Sequence, residues 1–384
     1  MADSPMARAA LIFLTALWMF ASGGAGAQQP AAPQAQEQTP VQAQTPTPVP
    51  TPENTSPAAA AHRQASQPLN NAPVWREVRS GAPQTTTVRG RETNVLIQSA
   101  GQTWRAARVP LLFAGGMLVA LALLGLAGTF LLIGSLDLAP GEKHGGRIIQ
   151  RFSPMDRYAH WFLAIVWVTL GITGLIMSLG KSLLLPVIGY TLFSWLAILS
   201  KNLHNFVGPL LIVAIPWMIM RFVRDNGIGV EDFRWFANIV GYFKGHDYPS
   251  DRFNAGEKVV FWIVLVLLST LLVISGIVMV FPNFDQTRST MQWANVAHVI
   301  CAYGAIALAL VHIYLGTIGQ VGSYRAMRYG YVDESWAKHH HLRWYRAVIE
   351  GRVPQKVVDP KTVPPEALLP GTVPEPPPQR TRPA

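Results

Sequence analysis

The chain has a single cysteine, Cys301, in 384 residues. One thiol excludes an internal disulfide. It also excludes a cysteine-ligated zinc site or iron–sulfur cluster within this polypeptide. Charge is scarce too: 14% of residues are Asp, Glu, Lys or Arg, against 50% hydrophobic. With a mean hydropathy of +0.23, this is the composition of a membrane protein rather than a soluble domain. Acidic residues are missing altogether from the five longest apolar stretches.

Proline is plentiful, with 30 residues, but it concentrates in two tails. Residues 1–27 read as a secretory signal peptide. Arg8 supplies the charge, residues 9–21 the apolar core, and Ala25-Gly26-Ala27 the small-residue cleavage site. The competing reading is an uncleaved anchor helix, for which the apolar core is short. Residues 28–108 are rich in Ala, Pro, Gln and Thr and cannot bury enough apolar surface to offset ordering. They are expected to form a disordered periplasmic tether. Residues 347–384 read as a Pro-rich cytoplasmic tail, expected to be disordered from Val353 onward.

Between the tails lie candidate spans at 109–136, 158–180, 202–220, 259–281 and within 289–324. Each is close to or above the ~20 residues that cross the hydrocarbon core. Backbone polar groups must be satisfied internally there, so helices are expected. Residues 182–200 are also uncharged, but they contain Pro186 and Gly189 and are bracketed by Lys181 and Lys201. Charge decides their assignment. With five spans, segments 136–157, 221–258 and 319–384 share one side and hold 4, 6 and 10 Lys plus Arg; the opposite loops 179–202 and 282–292 hold 2 and 1. This is the positive-inside pattern, and a sixth span would break it. Residues 182–200 therefore read as an interfacial helix or as a long lead into the third span. The mature N-terminus is expected outside, in the periplasm, and the C-terminus inside, across the bacterial inner membrane.

Four histidines, His160, His204, His298 and His312, lie in these apolar stretches. An ionisable side chain at membrane depth is costly and marks a functional site by default. The topology places His160 and His312 toward the cytoplasmic face, and His204 and His298 toward the outer face. His298 and His312 are separated by fourteen residues, about 21 Å of rise with a return to nearly the same helix face. One helix can thus offer a ligand at each of two levels. Two neutral imidazoles per level suit haem iron in a helix bundle. Zinc fits less well, because each level has only two histidines and no thiolate. Gly171, Gly174, Gly208 and Gly304 are candidates for making room for porphyrin. The reading is an all-α integral membrane protein: a four-helix dihaem cytochrome b bundle over residues 137–346, plus one additional N-terminal transmembrane helix at 109–136. The remaining histidines look different. His144 and His246 are expected to be solvated in loops, and His339, His340 and His341 to form a solvated or partner-contacting cluster.

Several motifs carry a resemblance. They are Arg157-Tyr-Ala-His160-Trp161, Leu203-His204-Asn-Phe-Val-Gly208, Phe253-Asn254-Ala-Gly256-Glu257-Lys258, the His298/His312 spacing, and Lys338-His-His-His-Leu-Arg-Trp-Tyr-Arg346. With these the chain resembles, over about half its length, the gamma (cytochrome b) subunit of respiratory formate dehydrogenase. The resemblance implies two b haems, one on His160 and His312 and one on His204 and His298. It implies a quinone site by the cytoplasmic haem using Asn254 and Gly256. Read from the residues alone, Asn254 three positions before Glu257 is a helix-capping pattern, and the two roles can coexist. The resemblance further implies an iron–sulfur beta subunit and a catalytic alpha subunit with a molybdenum or tungsten pterin. The polypeptide itself would transfer electrons without a catalytic residue of its own.

Three other readings stay open, one of them a pure assembly anchor whose histidines serve only packing. A dihaem cytochrome b serving a hydrogenase or another molybdoenzyme shares the same cage and differs in partner. A histidine-relay transporter calls for acidic partners within the spans, and the spans have none.

Overall fold

The computed structural model describes residues 101–369 apart from 140, 246, 247 and 285, together with 58, 80 and 373–375. The expected signal peptide, the expected tether up to residue 100 apart from 58 and 80, and His246 lie outside the described residues. The chain divides into two units, residues 1–102 with 283–288 and residues 103–282 with 289–384. The architecture that follows is that of the second.

Among the described residues, five helices are long and apolar enough to cross a membrane. The first is α1 (Gly101–Ile133), which begins eight positions before the expected start of the span. The second is α2 (Pro154–Leu183), started by a reciprocal capping box. Asp156 N–H donates to Ser153 Oγ at 3.3 Å, and Ser153 N–H to Asp156 Oδ2 at 3.0 Å. Pro154 stands where its missing N–H costs nothing. The third span joins α3 (Leu185–Val207) through a 3-10 turn, Gly208–Leu210, to α4 (Leu211–Phe222). Two short helices follow, α5 (Val230–Ala237) and α6 (Ile239–Phe243). The fourth span is α7 (Ala255–Val259), a π-helical stretch over Val260–Leu268, and α8 (Ser269–Val280). The fifth is α9 (Arg288–Tyr314), with π-helical Leu315–Gly319 at its end.

Residues 182–200 form no sixth span; they are the long lead into the third, which runs Leu185–Asp225. The reversal falls at Gly189, whose φ of +75° lies in the left-handed region that a side chain disfavours. The arms then approach closely. A Cβ on Gly180 would stand 2.9 Å from the Phe193 ring. α2 and α3 thus make an antiparallel hairpin about Gly189.

At the end of the bundle where α2 begins, residues read as loop and tail build a small sheet. It comprises β1 (Gly145–Gln150), β2 (Tyr331–Asp333), β3 (Val357–Val358) and β4 (Val373–Glu375). β1 pairs antiparallel with β2, Ile149 opposite Val332, and with β3, Ile149 opposite Val357; β4 runs parallel to β1. Ile148 and Ile149 are fully buried on opposite faces. Ile149 joins Phe152, Trp336 and Trp344 in the main core, and Ile148 packs with Val363 and Ala367. The disorder expected beyond Val353 therefore does not hold through residue 369. The tail's sparse valines have a prepared surface in β1, which composition alone does not reveal.

Three helices complete this end: α10 (Ser323–Tyr329), α11 (Glu334–His340) and α12 (Leu342–Ile349). Glu334 takes both Arg147 Nε and Nη2 at 3.0 Å and Lys338 Nζ at 2.8 Å, and it accepts from the Tyr345 hydroxyl. The Arg147 guanidinium holds the Glu334 carboxyl well below the usual carboxylate range. Arg151 and Arg252, both buried, each donate to the other's carbonyl, at 2.8 and 2.7 Å.

Two expectations about histidines fail here. His340 and His341 are 3% and 1% exposed rather than solvated. His341 donates from Nδ1 to Asp251 O at 2.8 Å and accepts from Arg151 Nη2 at 3.0 Å. Burial and the facing Arg151 push its pKa well down. His144 is no free loop residue either. Its ring nitrogens meet Asp137 at 2.8 Å and Asp333 at 3.0 Å, and the Asp333 bond raises its pKa.

The additional helix α1 packs against the fifth span. A Cβ on Gly115 would lie 2.1 Å from the Tyr303 ring, so only glycine admits this approach. Beyond α1, Leu136 N–H donates to Gly319 O at 2.8 Å and Val321 N–H to Leu136 O at 2.9 Å.

Candidate haem sites

Three of the four spans after α1 bring the membrane histidines together in twos. His160 on α2 faces His312 on α9 with ring centroids 6.2 Å apart, and His204 on α3 faces His298 on α9 at 6.1 Å. Two imidazoles bonded from opposite sides to one metal, at about 2 Å per bond, place their centroids roughly 6 Å apart. Among the described residues, no group of three or more His, Cys, Asp or Glu gathers as a metal cage. A centre in either pair must bring its remaining ligands with it, as the four nitrogens of a porphyrin do.

Hydrogen bonds set the rings of the second pair. Thr173 Oγ1 donates to Thr169 O at 2.8 Å and lies 2.9 Å from His204 Nδ1. Ser275 Oγ donates to Leu271 O at 2.6 Å and lies 3.0 Å from His298 Nδ1. Each hydroxyl has one proton, already given to a carbonyl, so it accepts from Nδ1–H. That tautomer leaves Nε2 with its lone pair, the form that binds a metal. Next to each hydroxyl is a glycine against the same ring. A Cβ on Gly174 would be 3.4 Å from His204 Cε1, and one on Gly276 3.5 Å from His298 Cε1. In the first pair, buried His160 Nδ1 has no hydrogen-bond partner among the described residues. The donor set and spacing fit a haem in each pair.

Of the glycines expected to make room for porphyrin, Gly174 faces a ligand ring, whereas a Cβ on Gly171 would meet the Trp167 indole at 3.7 Å. A Cβ on Gly208 or Gly304 would meet Leu170 or Leu268 at 4.0 Å. Thr173, Ser275 and Gly276 went unnoticed in the sequence. Their signal was there: Thr173-Gly174 and Ser275-Gly276 repeat a hydroxyl–glycine pair late in two spans.

Asn254 caps α7. Its Oδ1 accepts from Glu257 N–H at 3.0 Å, and Glu257 Oε2 accepts from Asn254 N–H at 2.9 Å. Gly256 lies under Trp235, where a Cβ would be 3.4 Å from the indole. Lys258, 8% exposed, is pinned beside them by Asp232 at 2.9 Å and Gly227 O at 2.8 Å.

A family profile described as prokaryotic cytochrome b561 matches residues 151–330, which hold all four histidines. A formate dehydrogenase cytochrome b556 subunit of Escherichia coli is 31% identical over 209 residues, 52% of this chain and 93% of the relative. The chain belongs to the prokaryotic cytochrome b561 family. The nitrate-inducible formate dehydrogenase cytochrome b556 subunit of Escherichia coli is 29% identical over 213 residues, 53% of this chain and 92% of the relative. A formate dehydrogenase cytochrome b556 subunit of Haemophilus influenzae is 28% identical over 224 residues, 56% of this chain and 88% of the relative. As a cytochrome b561 the chain is a membrane protein of electron transport that carries haem b. Helix α1 precedes the part of the chain that the family profile matches.

Proposed function

We propose that this cytochrome b561 is the membrane subunit of a formate dehydrogenase in the bacterial inner membrane, with its mature N-terminus periplasmic and its C-terminus cytoplasmic. Two b haems, one on His204 and His298 and one on His160 and His312, supply the one-electron steps that link a periplasmic iron–sulfur beta subunit to a membrane quinone. A catalytic alpha subunit with a molybdenum or tungsten pterin completes the assembly. The observation that carries this reading is the pair of facing imidazoles at each of two levels, 6.1 and 6.2 Å between centroids.

The chain's own residues set the conditions at each level. Thr173 and Ser275 fix the tautomer of the outer histidines. At the inner level, Asn254 and Gly256 stand as the quinone contacts. The Asn254 amide oxygen is engaged by its cap, so its amide nitrogen is the donor left for a quinone oxygen. The absent side chain of Gly256 keeps the helix start open. Moving an electron inward across a membrane that is negative inside costs about 2.3 kcal/mol per 100 mV. The donor upstream must therefore be strongly reducing, a requirement that formate meets.

Purification of the complex from membranes tests the proposal. The expected result is a b-type spectrum at two haems per chain, reduced by formate, with iron–sulfur and pterin-bearing partners in stoichiometric amount. A colourless chain, or reduction by hydrogen and not formate, overturns it.

A further inference from the structure

Midway between the two histidine pairs, three helices meet in one layer. On α2, Trp167 falls seven residues after His160 and seven before Gly174, which touches His204. On α9, Ala305 falls seven after His298 and seven before His312; on α8, Ser269 falls seven before Gly276, which touches His298. Seven residues of helix advance about 10 Å and return to nearly the same face. The three residues thus stand on the faces that carry the sites, about halfway between them.

The place of the indole is built. Trp167 Nε1–H donates to Ser269 Oγ at 3.2 Å. Ser269 is fully buried and donates in turn to Val264 O at 2.7 Å, five residues back. That reach belongs to the π-helical register of Val260–Leu268, a local irregularity that costs regular hydrogen bonding and marks functional positions. A Cβ on Gly171, one turn beyond Trp167, would meet the indole in ordinary contact at 3.7 Å. Ala305 is fully buried. A Cβ on Gly304 would lie 4.0 Å from Leu268, so α8 and α9 are level here.

We propose that Trp167, held by Ser269, is the positioning residue that fills the layer between the two haem sites and couples them. The proposal rests on the two-haem reading above. One electron leaves one site and arrives at the other. The donor is oxidised and the acceptor reduced by one unit, and the indole itself is neither oxidised nor protonated. A close-packed aromatic ring gives the electron a continuous path of atoms in contact. A smaller side chain leaves a void or admits water, which lengthens the path and changes the dielectric between two charged centres.

The test uses the full-length chain in its membrane complex, with Trp167→Leu, Ser269→Ala and, as control, Trp195→Leu on the exposed face of α3 (69% exposed). Haem-to-protein ratio, optical redox titration and the rate of electron equilibration between the two haems after rapid photoreduction are read. The expected result is full haem loading with equilibration slowed about tenfold in Trp167→Leu, equal to ~1.4 kcal/mol of barrier. Ser269→Ala should show a smaller slowing in the same direction, and the control none. Full loading with an unchanged rate in either variant overturns the coupling role; should Trp167→Leu lose haem, Ser269→Ala alone decides. Fewer than two haems in the unmodified chain sinks the two-haem reading instead, so the two failures are told apart.

Discussion

Ser275 Oγ and His298 Nδ1 lie 3.0 Å apart on neighbouring spans, and the serine's proton is committed to Leu271. The ring therefore donates, and Nε2 is left free. Outer-sphere hydrogen bonds of this kind typically contribute 10–100-fold in metal affinity. Ser275→Ala is expected to weaken retention of haem at His204 and His298 by about that factor and to shift its midpoint potential. Thr173→Val should act likewise through His204. Optical redox titration before and after exhaustive dialysis reads both effects. Unchanged potential and retention in both variants would show that the hydroxyls only pack.

Removing a ring separates the two levels. His298→Ala should abolish one haem and leave the other spectrum largely intact, and His160→Ala should do the reverse. Haem per chain then falls by about half in each. Loss of neither haem refutes the ligand assignment.

The two histidine pairs were legible in the sequence, but the groups that hold their rings were not. That His160 would face His312, and His204 face His298, follows from where each sits in its span, because the lysine and arginine bias sets direction and direction sets depth. The hydroxyls of Thr173 and Ser275 gave no such cue. Serine and threonine in apolar helices usually bond their own turn, as both also do here, and nothing local says that a ring from another helix will share them. The sheet was illegible for a related reason. Gly145–Gln150 is short and charged at Arg147, and its partners lie far along the chain. The valines of the Pro-rich tail become strands and core only because β1 is already there to receive them. The span count, by contrast, needed only length and charge.

α1 offers a stability test at one atom. Gly115→Leu places a side chain where Tyr303 stands, with the Cβ 2.1 Å from the ring. Overpacking of this kind costs about 1–3 kcal/mol, and more when backbone must move. The variant should melt several degrees lower and expose α1 to protease. Gly125→Leu on the same helix, with nothing among the described residues within 4 Å of its Cβ, should melt as the unmodified chain does.

His144 and Glu334 give opposite pH dependences outside the membrane. The His144 pKa is raised by its bond to Asp333, with Asp137 adding to it. Its contribution is thus full below about pH 6.5 and fades as pH climbs through the raised value. His144→Gln should remove that alkaline loss of thermal stability. Glu334 is depressed by Arg147. Its contribution is full above about pH 4.3 and fades only as acid protonates it. Glu334→Gln leaves the part-buried Arg147 without its counter-charge, a loss of about 2 kcal/mol for the charged hydrogen bonds removed. A melting series from acid to mildly alkaline pH separates the two; equal slopes in both variants would dismiss these assignments.

The seat of Tyr303 against Gly115 sets a timetable for biogenesis. A ribosome makes α1 first, yet the ring it receives emerges about 190 residues later. Leu136 must wait as long for Gly319 and Val321. Until then the leading helix sits in lipid without its mate, and the bundle closes only when the final span arrives. Truncation before that point would strand a loose helix rather than a smaller version of the same protein.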